Sequence, residues 1–550
     1  MDTLFDRHRP LLDQATAAIG ARGFWTPFPE IPSGKIYGET ARADGLAAYA
    51  ARLNAPLALD GHPETGRVGA EISPWGPALG ITYPAADVER LVTASQTAGA
   101  AWAAAGPERR VGLLVEALVR LNARSFEMAN AVMHTTGQAF PMAFQAGGPH
   151  AQDRGLEAVA IAWAEMSRTP ATARWEKPQG KAAPIVLEKH WRVVPRGVAL
   201  VIGCQTFPTW NSYPGLFASL ATGNTVIVKP HPGATLPLAL TVAVLRDLLA
   251  EQGLPRDVVL LAADTAEAPL TRDLVRHPAV AIVDYTGSST FGAWVRAHAG
   301  TARVYTEEAG VNSIVIAATD DFAGMCANLA FSLALYSGQM CTAPQNVFVP
   351  TDGIATDRGH KSFAEVAEGI AAAIDALLAD PARAAGVCGA IANPATLARV
   401  EAARALGRIV RDSAATGEGR SATPLLLAVD AADEAAYGEE RFGPIAFLVA
   451  VADARDGIAR AAALARRKGA ITAGLYDTDE ARILEAADAF ARVAVNLSVN
   501  LTGAIYVNQS AAFSDYHVTG LNPAGNASLT DAAFVTSRFA WAMWRRPVAA

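Results

Sequence analysis

Cysteine is scarce in this chain of 550 residues: there are four, at 204, 326, 341 and 388, with no CxxC pair. That spacing excludes a disulfide scaffold and favours a reducing, cytoplasmic setting. The ten histidines are dispersed without ligand spacing, so no metal site is expected. A basic surplus is also missing. Lys and Arg number 46 against 53 acidic residues, a net charge of −7, which removes nucleic acid from the expected partners. Long apolar runs are absent as well: the Ala-rich stretch from 98 to 105 is far short of the roughly 20 apolar residues that cross a bilayer. The opening segment mixes Asp2, Asp6, Arg7, His8, Arg9 and Asp13 with apolar positions and does not form an export signal. No membrane partner is expected.

What is present suits a soluble enzyme. Hydrophobic residues make up 51% of the chain and charged residues 18%, ample material for burial, and domains of about 150 residues would make two to four of such a chain. Residues 1–80 are dense in punctuators, including Pro27-Phe28-Pro29, Pro32-Ser33-Gly34 and Pro74-Trp75-Gly76-Pro77, and read as an irregular N-terminal arm. From Asp87 to Asn122 the spacing of Val88, Leu91, Ala98, Trp102, Val111, Leu114, Leu118 and Leu121 suits amphipathic helices broken near Gly106-Pro107. More helix follows over 126–168, with His134 and His150 as structural histidines. Residues 169–184, rich in Pro, Ala, Lys and Gly, read as a boundary, and Ile185-Val186-Leu187 and Trp191-Arg192-Val193-Val194 have strand character.

The runs Val198-Ala199-Leu200-Val201-Ile202, Thr225-Val226-Ile227-Val228, Val258-Val259-Leu260-Leu261 and Val280-Ala281-Ile282-Val283 read as buried strands. The stretch Leu236 to Gln252 between them reads as a helix ended by Gly253. Alternating strands and helices predict an α/β fold with a doubly wound parallel sheet. Its ligand belongs at the strands' carboxyl ends, where Lys229 stands. The segment Tyr285-Thr286-Gly287-Ser288-Ser289-Thr290-Phe291-Gly292 opens a helix there and presents amide hydrogens to a phosphate.

One cysteine sits on a small-residue turn, in Ser337-Gly338-Gln339-Met340-Cys341-Thr342-Ala343-Pro344, where glycine allows close backbone approach and Cys341 can serve as a nucleophile. One strand-and-helix unit upstream lies Glu307-Glu308-Ala309-Gly310-Val311-Asn312.

These two segments resemble motifs of the aldehyde dehydrogenase superfamily, E-L-G-G-K-N in degenerate form and G-Q-x-C intact. The resemblance, over roughly residues 85 to 545, implies a cysteine nucleophile at Cys341 and a water-activating base at Glu307, with Glu308 as the fallback. Lys229 becomes the lysine that contacts the adenosine ribose. Tyr285 to Gly292 resembles T-G-S-x-x-x-G, assigning Gly287, Ser288 and Gly292 to the cofactor. Glu440 and Phe442, in Glu440-Arg441-Phe442-Gly443-Pro444, match E-x-F-G-P and go to the nicotinamide ribose and ring. Pro232 stands where many NAD-using members carry a glutamate, so the reading leans towards NADP, with NAD retained.

Two segments depart from the family. Phe207-Pro208 aligns with W-N-F-P and puts Thr206 in place of the asparagine that serves the oxyanion; Asn211 is the alternative. The usual P-F-G-G-x-x-x-S-G is not recognisable in residues 513–525. With the long arm, these departures resemble the phenylacetic acid degradation (PaaN-type) branch, which implies a semialdehyde substrate formed by opening the ring of a phenylacetyl-CoA derivative.

The domains expected are an arm (1–80), a dinucleotide-binding domain (81–176 and 196–306), a catalytic α/β domain (307–520) and a small β bridging element (177–195 and 521–550). In the family that element pairs with a neighbouring subunit; pairing within the chain is the alternative for the tail Phe534 to Trp541. Family members are commonly homodimers or homotetramers. Two further readings stay open: a CoA-acylating enzyme of the same family, and a nucleotide-binding or scaffold protein that kept the fold and lost catalysis.

Overall fold

The computed structural model describes residues 3–308, 310–417, 419–503 and 510–548. Five strands lie side by side in the order Val259–Leu261, Thr225–Lys229, Val198–Ile202, Val280–Gly287, Arg303–Glu308, all parallel. Val198–Ile202, the central strand, is buried along its whole length, which is why it reads as an unbroken apolar run. The strand order reverses beside it, and sheets of this kind open a ligand crevice at that point, outside the carboxyl ends. The helices Val88–Ala104 and Pro107–Ala123 meet at Gly106, whose φ of +79° favours glycine.

A second sheet has seven strands, in the order Arg408–Arg411, Leu425–Asp430, Ile445–Val451, Asn346–Pro350, Ser313–Ile316, Thr472–Tyr476, Asn496–Val499. All are parallel except the first, an antiparallel edge. Together the sheets give the α/β, doubly wound fold expected. Among the described residues no helix is long and apolar enough to cross a membrane.

One expectation needs correction. The first eighty residues are not irregular throughout: Leu4–Ala21 is a helix with a Thr3/Asp6 capping box, burying Phe5, Leu12 and Ala15, and Ala41–Ala50 is another. The punctuators cluster at 27–34 and 74–77 and leave the apolar spacing between them intact. Residues 169–184, read as a boundary, hold the start of a hairpin, Thr172–Gln179 and Ala182–Pro195, turning at Gly180 with φ +66°. The tail divides into a short helix, Ala532–Thr536, and a strand, Phe539–Pro547, that pairs antiparallel with Ala182–Pro195 of its own chain. Trp175, Ile185, Trp541, Met543 and Trp544 lie exposed on these three strands.

Arg538 ties that tail to the five-stranded sheet. Its guanidinium, wholly buried, forks onto Asp284 in mid-strand (2.7 and 2.5 Å), donates to Ser219 Oγ at 2.8 Å, and lies over the rings of Tyr305 and Phe534. Gly215 makes the room: a Cβ there would stand 2.5 Å from Asp284 Cγ. Removing one partner of a buried pair strands the other charge. Arg538→Met is therefore expected to lower unfolding free energy by about 3–5 kcal/mol, read from chemical denaturation.

Candidate active site

Cys341 is held by an unusual turn. Tyr336, Ser337 and Gly338 carry φ of +49°, +50° and +63° in succession, a conformation side chains resist unless their surroundings enforce it. Here Ser337 Oγ lies within hydrogen-bond distance of two carbonyls, Cys388 (3.0 Å) and Ala422 (2.7 Å), and a Cβ on Gly338 would strike the Gly443 carbonyl at 2.5 Å. Gln339 is clamped to the backbone of Ala390 and Ala392. Asn312 completes the mount: its amide donates to the carbonyls of Cys341 (2.8 Å) and Ala343 (3.0 Å), while its oxygen accepts from Ile471 and Thr472.

Glu307 ends the edge strand of the five-stranded sheet, and Cys341 precedes a strand of the seven-stranded one; they meet at 3.4 Å, thiol donating to Glu307 Oε1. Successive strand residues point to opposite faces, so Glu308 turns away to pair with Arg296. Asn211 donates to Glu307 Oε2 at 2.8 Å. A third group, absent from the residues singled out above, is His517, whose Nε2 is 2.8 Å from Glu307 Oε1 and 4.0 Å from Cys341 Sγ. The ligand-capable atoms of these three residues lie within 4.8 Å of one another, so dispersal of histidines along the chain did not preclude a His/Cys/Glu cluster in space.

Because a carboxylate only accepts, Nε2 is the donor, leaving Nδ1 to face Ser510 Oγ at 3.1 Å. Trp210 stands edge-on to the ring at 4.7 Å. The loop bearing His517 is fastened along the Glu307 strand: Glu308 N–H donates to Ala524 O and Asn526 bonds the Thr306 backbone in both directions. Phe513 and Val518, on either side of His517, both have positive φ, +65° and +63°, which for a β-branched residue marks enforced backbone. Burial opposes ionisation of Glu307, yet His517, the thiol and Asn211 together hold its carboxyl below the usual range. Burial, then the charge of Glu307, pushes the Cys341 thiol well above its ordinary value. The resting pair is thus thiol and carboxylate.

Two cavities meet at Cys341. One, of 560 Å³, runs past Gly203, Lys229, Gly287, Ser288, Glu440 and Phe442, the crevice at the strand-order reversal. Lys229 is buried and its ammonium lies 2.7 Å from Asp264. Ser288 caps the helix Ser289–His298, accepting from Phe291 N–H at 3.4 Å. Glu440 is open to the crevice yet ringed by protein, and desolvation raises its carboxyl to about 7. Gly292 is not in the lining; a Cβ there would stand 2.2 Å from Glu308 Oε1, so glycine makes room for the Glu308–Arg296 pair. Thr206 lines this crevice but not the second cavity, its hydroxyl 4.0 Å from Cys204 Sγ.

The second cavity, 510 Å³, lies on the other side of Cys341 and is roofed by the N-terminal arm: Phe24, Trp25 and Phe28 join Phe207, Trp210 and His517. Trp25 packs edge-on against Phe513 at 4.8 Å and Arg22 covers the ring of Tyr516 at 4.2 Å, so arm and His517 loop brace each other. No motif signals these residues; the aromatic cluster Phe24-Trp25 beside Pro27-Phe28-Pro29 was the one available hint.

Residues 81–529 match the Aldehyde dehydrogenase family. An N-succinylglutamate 5-semialdehyde dehydrogenase of Burkholderia mallei (strain SAVP1) is 30% identical over 410 residues, 73% of this chain and 78% of that protein. The crystal structure of an NAD-dependent aldehyde dehydrogenase from Burkholderia multivorans is similar over 100% of this chain and 99% of that one, with 52% identity and a TM-score of 0.98. A Thermus 1-pyrroline-5-carboxylate dehydrogenase solved with bound NAD shares the fold, with 19% identity and a TM-score of 0.73 over 96% of this chain and 99% of that one.

The thiol–carboxylate coupling predicts that Glu307→Gln, by removing the adjacent charge, lowers the pH midpoint of Cys341 alkylation by iodoacetamide by on the order of 1 unit. An unchanged midpoint would show the two groups to be uncoupled.

Proposed function

The chain belongs to the aldehyde dehydrogenase family, and from that premise we propose that it oxidises a semialdehyde to the carboxylic acid with NAD or NADP, through a thioester at Cys341. The observation that carries this reading is the 3.4 Å contact of thiol and carboxylate where the two cavities meet.

In the proposed sequence Glu307 accepts the thiol proton and Cys341 Sγ bonds to the aldehyde carbon, the carbonyl electron pair moving to oxygen. Asn211 is the better oxyanion donor than Thr206, because Asn211 borders both cavities and its amide carries a second N–H besides the one given to Glu307 Oε2. Bound NAD(P) supplies the acceptor for the hydride that leaves that carbon. Glu307, after passing that proton to solvent, takes one from water, whose oxygen attacks the thioester carbon as Cys341 leaves as thiolate. His517 is a positioning residue: it holds Glu307 anionic and aimed at Sγ.

The crevice fits a dinucleotide. Gly203, Gly287 and the start of the helix Ser289–His298 offer close backbone approach and the positive end of a helix dipole for the pyrophosphate, Lys229 the adenosine ribose, and Glu440 and Phe442 the nicotinamide end. Pro232 removes a carboxylate that would repel a 2′-phosphate, but Asp264 offsets the charge of Lys229, which supports NAD over NADP.

For the substrate, the aromatic roof and the lack of Lys or Arg among the described residues of the 510 Å³ cavity support an apolar, aromatic-derived semialdehyde, in keeping with the PaaN-type resemblance. They weigh against a substrate carrying free carboxylates. Hydrolysis is favoured over acyl transfer to CoA because a carboxylate stands at the thiol. The exposed apolar residues of the three-stranded sheet support a homo-oligomer, and the divisions at 80, 176–196, 306 and 520 remain the proposed domain limits.

Cys341→Ala is expected to abolish aldehyde-dependent NAD(P) reduction while leaving cofactor binding, followed by fluorescence, intact; robust turnover in that variant would sink the covalent route. Asp264→Asn, by freeing the Lys229 charge, should raise the ratio of kcat/KM for NADP to that for NAD by about tenfold.

A further inference from the structure

Asp153 is a buried polar group in the second cavity that no step above uses. It stands in the helix Pro149–Ser167, with a relative exposure of 6%, and lines the cavity roofed by the arm. Its Oδ1 has no hydrogen-bond partner in the protein. A buried carboxyl oxygen left without a partner costs stability, so its retention at a cavity wall asks for a ligand. The groups facing it come from two elements: Thr26, Glu30 and Tyr37 on the arm, and Arg154 and Glu157 on its own helix, where His150, one turn earlier, is tied to Glu30 at 2.7 Å. The terminal nitrogens of Arg154 are engaged by Glu157 at 2.9 Å and by the carbonyl of Ser510 at 3.1 Å, while its Nε has no partner and its charge partly offsets that of Asp153.

We propose that Asp153, with the arm residue Thr26, forms a subsite that hydrogen-bonds an uncharged oxygen or nitrogen function of the aldehyde substrate, and that the arm is therefore a specificity element. The proposal rests on the aldehyde-oxidising reading and sharpens its substrate class. Burial pushes the Asp153 carboxyl well above the ordinary range, with Thr26 and Arg154 pulling the other way, so the acid form can donate to a hydroxyl, amide or thioester carbonyl. An anionic group would meet Asp153 and Glu30 with no Lys or Arg among the described lining residues. The aromatic side chains Phe24, Trp25, Phe28 and Trp210 then hold the apolar body of the molecule.

The test compares kcat/KM of the full chain for phenylacetaldehyde, 4-hydroxyphenylacetaldehyde and 4-formylbenzoate in wild type, Asp153→Asn and Asp153→Leu. Ratios between substrates cancel any general loss from folding. Wild type is expected to favour the hydroxylated over the plain aldehyde by about tenfold, the worth of one good hydrogen bond, and to discriminate against the carboxylate. Asp153→Asn, which keeps shape and a donor, should retain most of the hydroxyl preference, and Asp153→Leu should erase it. A hydroxyl preference that is absent in wild type, or that survives in Asp153→Leu, overturns the subsite. Failure of the wild type to oxidise any aldehyde would instead refute the enzymatic reading on which the subsite rests.

Discussion

A buried carboxylate governs this site. Glu307 Oε1 receives two donors, the Cys341 thiol and His517 Nε2, while Oε2 receives Asn211. Without them burial would neutralise the group, and a neutral acid next to a thiol accepts no proton. Much of the surrounding structure serves to bring those donors to one carboxylate from three separate parts of the chain.

The supports differ in kind. Cys341 is fixed by left-handed backbone and by Asn312, which bridges the thiol loop to the seven-stranded sheet. His517 is fixed by a loop laid along the edge strand of the five-stranded sheet and clamped from the other side by Arg154 and Glu157 of the helix Pro149–Ser167. Each mount is a set of satisfied backbone groups rather than a single strong contact, so the geometry depends on many modest interactions holding together.

The arm acquires meaning from this arrangement. Its helices pack on the helical layer beside the five-stranded sheet, and the segment between them closes the cavity that faces the thiol. Phe24, 83% exposed, would be a liability on a bare surface but stands here at the mouth of an aromatic chamber. Cavity lining and loop bracing thus fall to the same segment.

The parallel sheet around Val198–Ile202, the helix break at Gly106, the thiol turn and the carboxylate one unit upstream were all readable from residue order, because each depends on local periodicity or on a short motif. The capped helix at Leu4–Ala21 was hidden by neighbouring prolines, and the hairpin at 172–195 by a composition that suits linkers equally well. His517 could not be found by spacing: it lies in a segment where the family's end motif is unrecognisable, and only the antiparallel run against Thr306 and Glu307 carries it to the thiol. Likewise a glycine in a helix-opening pattern suggested a phosphate contact, whereas Gly292 makes room for a neighbouring ion pair. Local order determined the elements and pointed to the thiol and the carboxylate; the chain's long-range packing decided which histidine, which asparagine and which aromatic residues surround them, since such contacts join segments up to hundreds of residues apart and leave no periodic trace.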